Sequence, residues 1–504
     1  MSMRQTLSQG IRLGIHSNEA TVEKHGLTKE FKAYYASLLV VLMVILVPIW
    51  AVDYPGLVDY PGHLARCFVL AHYHDNPVWQ QRYGLVLAPA PNLAIDLIVT
   101  PLVRLLPLQV CGKIFLSLTA ALFVFGCSEV GRAITDRPNW LALVCAFMFY
   151  NSNLLYGFVN YCFGLGLFLC VFALWLRLRD HITPLRFLLF CLLSIAAFLA
   201  HLSSVVLLGV ACCTVALIEF ARDRKLFRMT AKVGWLACPA LLMAAYMKHD
   251  GQAGTVSYRL LLGKLITLLA PVRSYDRMLD VIVAGVLLLS ILLIARGSRI
   301  HLPAAVSLVF FILYMITPFE VLNTSGVDTR YVVPAFLLLI LSIEVRWGRL
   351  QKVAYALALA AMAVHLAQIA DKWRILSDRS EQIIAMGQNL PIGASVYVFV
   401  SETGQQVDLA SSLDNVIQLW TVSRQANVSS FFAQPGVQPL GFRQTPCGNQ
   451  EWAKCIASYD YIWSDDPPPS LWVALTAVAT PASTWQKFTL WRIKPSIDSY
   501  QRIP

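Results

Sequence analysis

The sequence predicts a mainly α-helical fold: a polytopic transmembrane bundle of about 11–13 spans, followed by a small soluble α/β domain. Of the 504 residues, 57% are hydrophobic and 14% are charged, whereas a soluble domain is roughly half apolar and a quarter charged. Apolar runs of about 20 residues, the length that crosses a bilayer as a helix, recur between Ala33 and Ala370. From Asp371 onward, turn-rich segments separate shorter apolar runs, which places the soluble domain there.

The predicted spans are apolar segments joined by short loops. The basic residues behind the net charge of +11 sit in those loops, and cytoplasmic loops of membrane proteins carry an excess of Lys and Arg. We therefore interpret the positive charge as an orientation signal and not as a nucleic-acid-binding surface. The predicted spans cover residues 33–52, 92–107, 113–131, 139–157, 158–176, 185–200, 202–220, 232–247, 279–295, 303–318, 331–346 and 353–370.

The basic loops predict the side of the membrane on which each part lies. Residues 1–32 form a cytoplasmic N-terminal arm, and residues 33–370 form a transmembrane module with an external loop at 53–91. Residues 371–504 form an external, periplasmic α/β domain. We expect an integral protein of a bacterial inner (plasma) membrane.

Between residues 92 and 220, the number of predicted crossings conflicts with the positions of the basic loops. Counting from the N-terminus places 177–186 outside, although this loop carries several arginines. A hairpin at His201 would place it inside. A single bent helix over 185–220, or an extra short crossing within 139–176, would each restore the alternation, and the sequence does not distinguish them.

The tail contains strand patterns between turn-rich segments. Ser395–Val400, Tyr459–Trp463 and Phe488–Ile493 are short and rich in β-branched and aromatic residues, which predicts strands. Cys447 and Cys455 could form a disulfide if the tail lies in an oxidising compartment, and two free thiols are the alternative.

The loop after the first span carries the most informative motif, Asp53-Tyr-Pro-Gly-Leu-Val-Asp59-Tyr-Pro-Gly-His63-Leu-Ala-Arg66. Pro61 suits the first turn of a helix, which puts Asp59 at the positive end of the helix dipole. His63 and Arg66 are three residues apart and share a face of that helix. An acid, an imidazole and a guanidinium therefore converge outside the membrane. The alternative is structural: Asp59 only caps the helix, and Arg66 contacts lipid phosphates.

This layout resembles that of the GT-C glycosyltransferases, which use polyprenyl-phosphate-linked sugars. In that family a long first external loop carries an acidic residue soon after the first span; Asp59 is the best match, and Asp53 is second. The common pattern has two adjacent acids, whereas Tyr60 follows Asp59 here. Arg330-Tyr331-Val-Val-Pro is similar to an Arg-Tyr pair of many GT-C proteins, in which the arginine lies near the lipid phosphate. The segment 150–166 is similar to uncharacterised bacterial membrane proteins of this type.

The resemblance covers residues 33–370 and implies a site. An acceptor hydroxyl that attacks a sugar must lose its proton, and a positioned carboxylate accelerates such a step by about 10²–10⁴-fold. The leaving lipid phosphate requires cations. The resemblance implies Asp59 as the base or as the residue that positions the acceptor, and the chemistry of the leaving phosphate makes Arg66 and Arg330 its candidate ligands. A wider candidate set adds Asp53 and His63 for catalysis and Tyr331 and His201 for binding. The alternative for His201 is a packed, hydrogen-bonded residue between two spans.

No cofactor is certain from the sequence. His72 and His74, near His63, are candidate ligands of a divalent metal, but residues two apart point to different faces of a helix. Some GT-C proteins use a divalent ion and others do not. Asp96 and Arg104, in a predicted span, are functional candidates because intramembrane charges are costly, or else they lie among lipid headgroups.

The predicted activity is that of a hexosyl- or pentosyltransferase acting at the external membrane face. Its predicted partners are a polyprenyl-phosphate-linked donor, membrane lipids and a glycan, lipid or protein acceptor, without nucleic acid. One alternative is a secondary transporter or flippase, which would usually show inverted repeats and paired broken helices; neither is evident. A non-catalytic membrane scaffold is the other.

Overall fold

The computed structural model of the chain describes residues 29–86, 90–247, 256–321, 324–399, 411–433, 438–444, 446 and 456–494. Cys447 and Cys455, whose pairing the sequence leaves open, lie outside these residues, as does most of the basic N-terminal arm.

Helices make up most of the structure before the tail. In chain order they are α1 (Lys29–Trp50), α2 (Tyr60–Ala71), α3 (Pro77–Arg82), α4 (Ala94–Val103), α5 (Leu108–Thr135), α6 (Leu141–Phe147), α7 (Ser152–Leu155), α8 (Val159–Leu178), α9 (Pro184–Ala200), α10 (Leu202–Asp223), α11 (Leu226–Val233), α12 (Ala237–Met247), α13 (Leu261–Thr267), α14 (Arg277–Ala295), α15 (Ala304–Ile316), α16 (Thr329–Leu341) and α17 (Arg349–Met386). Short strands lie in the loops: β1 (Tyr83–Leu85), β2 (Val256–Ser257), β3 (Arg299–Ile300), β4 (Glu320–Val321), β5 (Thr324–Ser325) and β6 (Ile343–Glu344).

Seven stretches of helix in the described residues are long and apolar enough to cross a membrane: α1, α5, α8, α10, the continuous stretch of α11 and α12, α14 and α17. Many of their large apolar side chains are exposed on the outside of the bundle, for example Leu39 and Leu288. Such side chains require a lipid environment. The chain is therefore an integral membrane protein, as the composition predicts.

Polar contacts define the two ends of the bundle. At one end, Lys113 of α5 lies 3.5 Å from Asp53, just after α1; we call this the site end. At the other, Tyr34 of α1 donates a hydrogen bond to Ser128 of α5 over 3.0 Å. Since Arg132 lies one turn further along α5, we call this the basic end. Helices α1 and α5 therefore run antiparallel between the two ends.

Helix α4 does not cross the bundle, which corrects the predicted span at 92–107. Its 10 residues extend about 15 Å, half the thickness of a bilayer core. Both of its ends contact the site end: the Ile95 N–H donates to Asn160 Oδ1 at 2.7 Å, and Arg104 donates to the Ala71 carbonyl at 2.8 Å. Without a crossing at 92–107, the remaining spans alternate consistently with the basic loops.

Helices α9 and α10 form a hairpin that turns at His201. Arg179, just before α9, pairs with Glu219 near the end of α10 at 3.0 Å, and Lys232 reaches Asp180 at 2.8 Å. The start of α9 and the end of α10 therefore lie together at the basic end. Neither the single bent helix nor the extra crossing within 139–176 is needed.

Several shorter helices also connect the two ends. Asn139, which precedes α6, accepts a hydrogen bond from Tyr34 at the basic end, whereas the Tyr156 carbonyl after α7 accepts one from Asp59. His301 before α15 pairs with Glu344 after α16 at 2.9 Å. The pair α6–α7 and the helices α9, α15 and α16 add four crossings to the seven long stretches of helix. The described residues therefore contain eleven crossings, the lower end of the predicted 11–13.

The tail folds as the predicted small α/β domain. Its elements are β7 (Ser395–Phe399), α18 (Trp420–Arg424), β8 (Asn427–Val428), β9 (Leu440–Phe442), β10 (Tyr461–Asp465), α19 (Pro469–Val478), β11 (Ala479–Trp485) and β12 (Phe488–Ile493). A five-stranded sheet has the order β11-β12-β10-β7-β8, with β7 parallel to both β10 and β8. All three predicted strands are present, displaced by up to two residues at their ends.

The tail packs directly on the loop that follows α1. Strand β9 pairs antiparallel with β1, with Phe442 opposite Tyr83. Arg82 donates hydrogen bonds to the carbonyls of Gln425 and Gly393, at 2.5 and 2.7 Å. Helix α17 runs from the basic end straight into the tail, through the predicted boundary at Asp371. The tail therefore covers the site end of the bundle.

Candidate active site

Asp59 stands at the N-terminal end of α2. It occupies the N-cap position, but its side chain makes no capping hydrogen bond. Its Oδ1 instead accepts a hydrogen bond from Asn415 Nδ2 of the tail, at 3.1 Å. The carboxylate is therefore available for a role other than capping α2.

The backbone holds Asp59 against the loop between α7 and α8. Its N–H donates to the Tyr156 carbonyl at 3.1 Å. Gly157 has a φ of +84°, and a Cβ there would lie 2.4 Å from the Asp59 nitrogen, so only glycine fits. Burial raises the pKa of Asp59 to about 7, against an opposing effect of Arg66. A carboxyl group with this pKa exchanges its proton near neutral pH, which suits a general base.

A buried charge pair supports His63. Arg66 is fully buried, and its Nε and Nη2 donate to the two carboxylate oxygens of Asp96 at 2.8 Å each. Arg66 Nη2 also lies 3.0 Å from His63 Nδ1. A guanidinium only donates, so Nδ1 accepts and the neutral ring carries its proton on Nε2. Burial, with a contribution from Arg66, lowers the pKa of His63 well below its usual value.

Arg330 is a buried cation in the first turn of α16, with 8% of its surface exposed. Its guanidinium lies over the Phe158 ring, 5.5 Å from the centroid, and its Nη1 is 3.5 Å from Ser203 Oγ. No carboxylate in the described part of the chain pairs with it, since the nearby Asp328 is bound by Lys264 at 2.9 Å. Its Nε is buried without a partner. A buried charge is costly unless paired, which makes Arg330 a candidate ligand for an anion.

His201 lies at the turn between α9 and α10. Its Nδ1 accepts a hydrogen bond from the Ser203 N–H at 3.0 Å and so caps α10. Its ring makes an edge contact with Tyr161. Burial, with a contribution from Arg330, lowers the pKa of His201 well below its usual value. His201 is therefore also a neutral imidazole with its proton on Nε2.

These side chains come together in one cavity of about 550 Å³ at the site end. Loop, bundle and tail all contribute to its walls. An acid, an arginine and two neutral histidines therefore share a space large enough for a small polar group. The lining residues are Asp59, His63, Asn92, Phe158, Asn160, Tyr161, His201, Thr324, Ser325, Arg330, Ser429, Ser430, Phe431, Phe432, Ala433, Gln438, Phe442 and Pro446.

Three predicted site residues lie outside this cavity. Asp53 is exposed and pairs with Lys113. Tyr331 is half-buried and packs near Phe310. Arg66 lies behind His63, with its charge matched by Asp96. Their predicted roles stay predictions, and the contacts of Arg66 indicate that it positions His63.

The histidines considered for a metal have other contacts. His72 Nδ1 lies 3.0 Å from the Phe68 carbonyl, and its ring packs on Phe68. His74 is exposed. Among the residues that the structure describes, no three His, Cys, Asp or Glu side chains form a group that could hold a metal ion.

Some residues that line the cavity or contact Asp59 are not predicted from the sequence. Asn160 fixes the start of α4, since it accepts from the Ile95 N–H and donates to the Asn92 carbonyl. Asn415 reaches Asp59 across 356 positions of sequence. No local pattern marks an isolated asparagine or the segment 429–433 as part of a site, because their role depends on how the tail packs on the bundle.

No family model matches the chain, and no curated protein sequence matches it. Solved structures do match. ArnT from Cupriavidus metallidurans in the apo state has a TM-score of 0.51 and 11% identity, over 92% of this chain and 98% of that one. ArnT from the same organism bound to undecaprenyl phosphate has a TM-score of 0.52 and 10% identity, over 93% and 99%. The chain therefore has the fold of ArnT over nearly its whole length, which confirms the predicted GT-C fold.

Proposed function

We propose that this protein is a membrane glycosyltransferase that transfers a sugar from a polyprenyl-phosphate-linked donor to an acceptor at the external membrane face. The observation that carries this proposal is the cavity in which Asp59 and Arg330 both lie, each without an oppositely charged partner in the described chain. A base and an anion ligand are the two groups that the reaction needs. The shared fold, and the undecaprenyl phosphate bound to one ArnT structure, support a lipid phosphate as the carrier.

Asp59 is the proposed base. In its ionised form it accepts the proton of an acceptor hydroxyl as the oxygen attacks the anomeric carbon, and the bond from that carbon to the lipid phosphate breaks. One base and no covalent intermediate would invert the configuration at the sugar. The hydrogen bond from Asn415 orients the carboxylate toward the cavity.

Arg330 is the proposed ligand of the leaving phosphate. Developing negative charge on the phosphate oxygens is stabilised by a cation that is already fixed in a water-poor site. Phe158 and Ser203 hold the guanidinium in place. Arg66 is not proposed to contact the phosphate directly, because its Nε and Nη2 already donate to Asp96. Its positive charge acts on the phosphate only from a distance.

Exchange of Asp59 for Asn tests the proposal. Asp59→Asn keeps the size of the side chain and cannot accept a proton, so we expect sugar transfer in membrane vesicles to fall by about 10²–10⁴-fold. Asp53→Asn is the matched control, since Asp53 is the other acid of the same motif but is exposed and outside the cavity. We expect it to retain near wild-type transfer.

Two results would contradict the assignment. If Asp59→Asn keeps the wild-type rate, Asp59 is not the base. If Asp53→Asn abolishes transfer while Asp59→Asn does not, the second acid of the motif takes that role. Vesicles in which the wild-type chain moves a lipid-linked sugar across the membrane without transferring it would identify a flippase.

A further inference from the structure

The two cavity histidines share an arrangement that the proposed mechanism does not use. His63 Nδ1 is engaged by Arg66, and His201 Nδ1 is engaged by the N–H of Ser203. In the described part of the chain, Nε2 of each histidine has no hydrogen-bond partner. Neither Nε2 is among the unpaired polar atoms that are fully buried, so both are accessible. Both residues line the cavity. Each Nε2 is therefore open to the cavity.

Both rings are held in one protonation state by fixed donors. Arg66 cannot accept a proton, and neither can a backbone N–H, so Nδ1 of each histidine must be the acceptor. The neutral ring then carries its proton on Nε2. Among the described residues that line the cavity, these two histidines therefore add uncharged N–H donors to the charged donor Arg330.

We propose that His63 and His201 bind hydroxyl groups of the transferred sugar through their Nε2–H atoms. This assignment rests on the proposed glycosyltransferase function and adds to it a sugar subsite. A fixed N–H donor in a site of low dielectric rejects a ligand that lacks the matching oxygen, because the donor is then left unpaired. The pair is thus a determinant of which sugar is accepted.

The surroundings favour a sugar over a second phosphate. Arg330 is the one cation that lines the cavity among the described residues, and the proposed donor already has one phosphate for it. Neutral donors suit the uncharged hydroxyls of a sugar. His63 lies edge-on to Phe432 of the tail at 5.3 Å, so the tail closes the side of the cavity next to this donor.

His63 is also connected to a charge pair that fixes its geometry. The chain of contacts runs from Asp96 through Arg66 to His63, with all three side chains less than 10% exposed. Asp96 lies on α4, and Arg66 and His63 lie one turn apart on α2. We therefore assign Arg66 and Asp96 as positioning residues that hold the His63 donor, a role distinct from contact with the substrate.

The protonation states are testable without any substrate. In the full-length protein with ¹⁵N-labelled histidine, the His63 and His201 signals are assigned by their loss in His63→Gln and His201→Gln. At neutral pH, nitrogen shifts of the neutral Nε2–H tautomer are expected at both positions. A Nδ1–H tautomer or a charged imidazolium at either position overturns the proposal.

Paired substitutions separate the Nε2 donor from the Nδ1 contact. His63→Asn and His201→Asn keep an oxygen that accepts from Arg66 or the Ser203 N–H, but no N–H reaches the former Nε2 position. His63→Gln and His201→Gln place an amide N–H near that position. With the lipid-linked sugar extracted from a strain lacking the protein, we expect each Asn variant to raise KM for this donor by roughly 10-fold, which is the effect of about 1.4 kcal/mol. The Gln variants should recover most of the loss.

The results distinguish this proposal from the proposed function. Wild-type KM in both Asn variants overturns the sugar subsite but leaves transfer and the role of Asp59 intact. Absence of any sugar transfer by the wild-type protein contradicts the proposed function itself. Loss of kcat without a change of KM in the Asn variants assigns the histidines to the chemical step and also overturns the subsite.

Discussion

At the scale of single residues, the surroundings of Asp59 distinguish a helix cap from a base. An N-cap aspartate normally accepts a hydrogen bond from the second or third N–H of its helix. Asp59 makes no such bond and accepts from Asn415 instead. Its raised pKa follows from burial, which costs the ionised form its hydration.

The rate of sugar transfer should depend on pH through Asp59. Only the ionised carboxylate accepts a proton, and its pKa is about 7. Initial rates in vesicles should therefore be low in mildly acid medium on the site side and rise through about pH 7 to a plateau. A rate that stays constant from about pH 5 to pH 8 would mean that no group with this pKa acts as the base.

Removal of the Asn415 amide should move this pH profile. A hydrogen bond to the charged form of a carboxylate lowers its pKa, so Asn415→Ala is expected to shift the midpoint to higher pH. Asn427→Ala is the control, because this other tail asparagine lies in β8 opposite Ser395. An unchanged midpoint in Asn415→Ala would show that the contact does not act on Asp59.

At the scale of elements, helix α4 is a case in which the composition of a segment predicts its helical structure but not its position in the bundle. Residues 92–107 have the composition of a span, yet α4 is too short to cross and both of its ends contact the site end. Strand Phe488–Ile493, by contrast, has the predicted bounds. Its β-branched and aromatic residues are a local signal, whereas the place of α4 depends on Arg66 and Asn160, which are distant in sequence.

The pair of Arg66 and Asp96 should be essential for joining α2 to α4. Asp96→Asn leaves a buried guanidinium without its counter-charge, and breaking a buried pair in this way costs about 3–5 kcal/mol. Asp75→Asn is the matched control, because Asp75 pairs with Arg104 of the same region in an exposed bridge whose loss costs less than about 1 kcal/mol. Melting of the detergent-solubilised protein should show a large fall in Tm for the first variant alone. Equal melting temperatures would contradict the buried role of Asp96.

At the scale of the whole molecule, the described helices resolve the topology that the charge pattern leaves open. The hairpin at His201 is one of the alternatives that the sequence leaves open. The excess crossing at 92–107 is not among those alternatives, because hydropathy does not distinguish a span from an apolar helix that packs at the site end. The site itself was predicted only in part: Asp59, His63, Arg330 and His201 come together, but the tail segment that closes the cavity has no sequence signature.

Labelling of single cysteines tests this topology. In a background without the 12 native cysteines, a cysteine at Leu105, which is 80% exposed, should react with an impermeant reagent from the same side as one at Asp75. A cysteine at Arg222 should react only from the opposite side. Labelling of positions 75 and 105 from opposite sides would mean that 92–107 does cross the membrane.

The cavity of Asp59 and Arg330 is proposed to consume a polyprenyl-phosphate-linked sugar. The most direct measurement is the profile of lipid-linked sugars in a strain that lacks the protein, complemented with the wild-type chain or with Asp59→Asn. We expect one polyprenyl-phosphate sugar to accumulate in the strain without the protein and in the Asp59→Asn strain, and to return to its normal level with the wild-type chain. Identical lipid-linked sugar profiles in all three strains would mean that the protein does not consume such a donor.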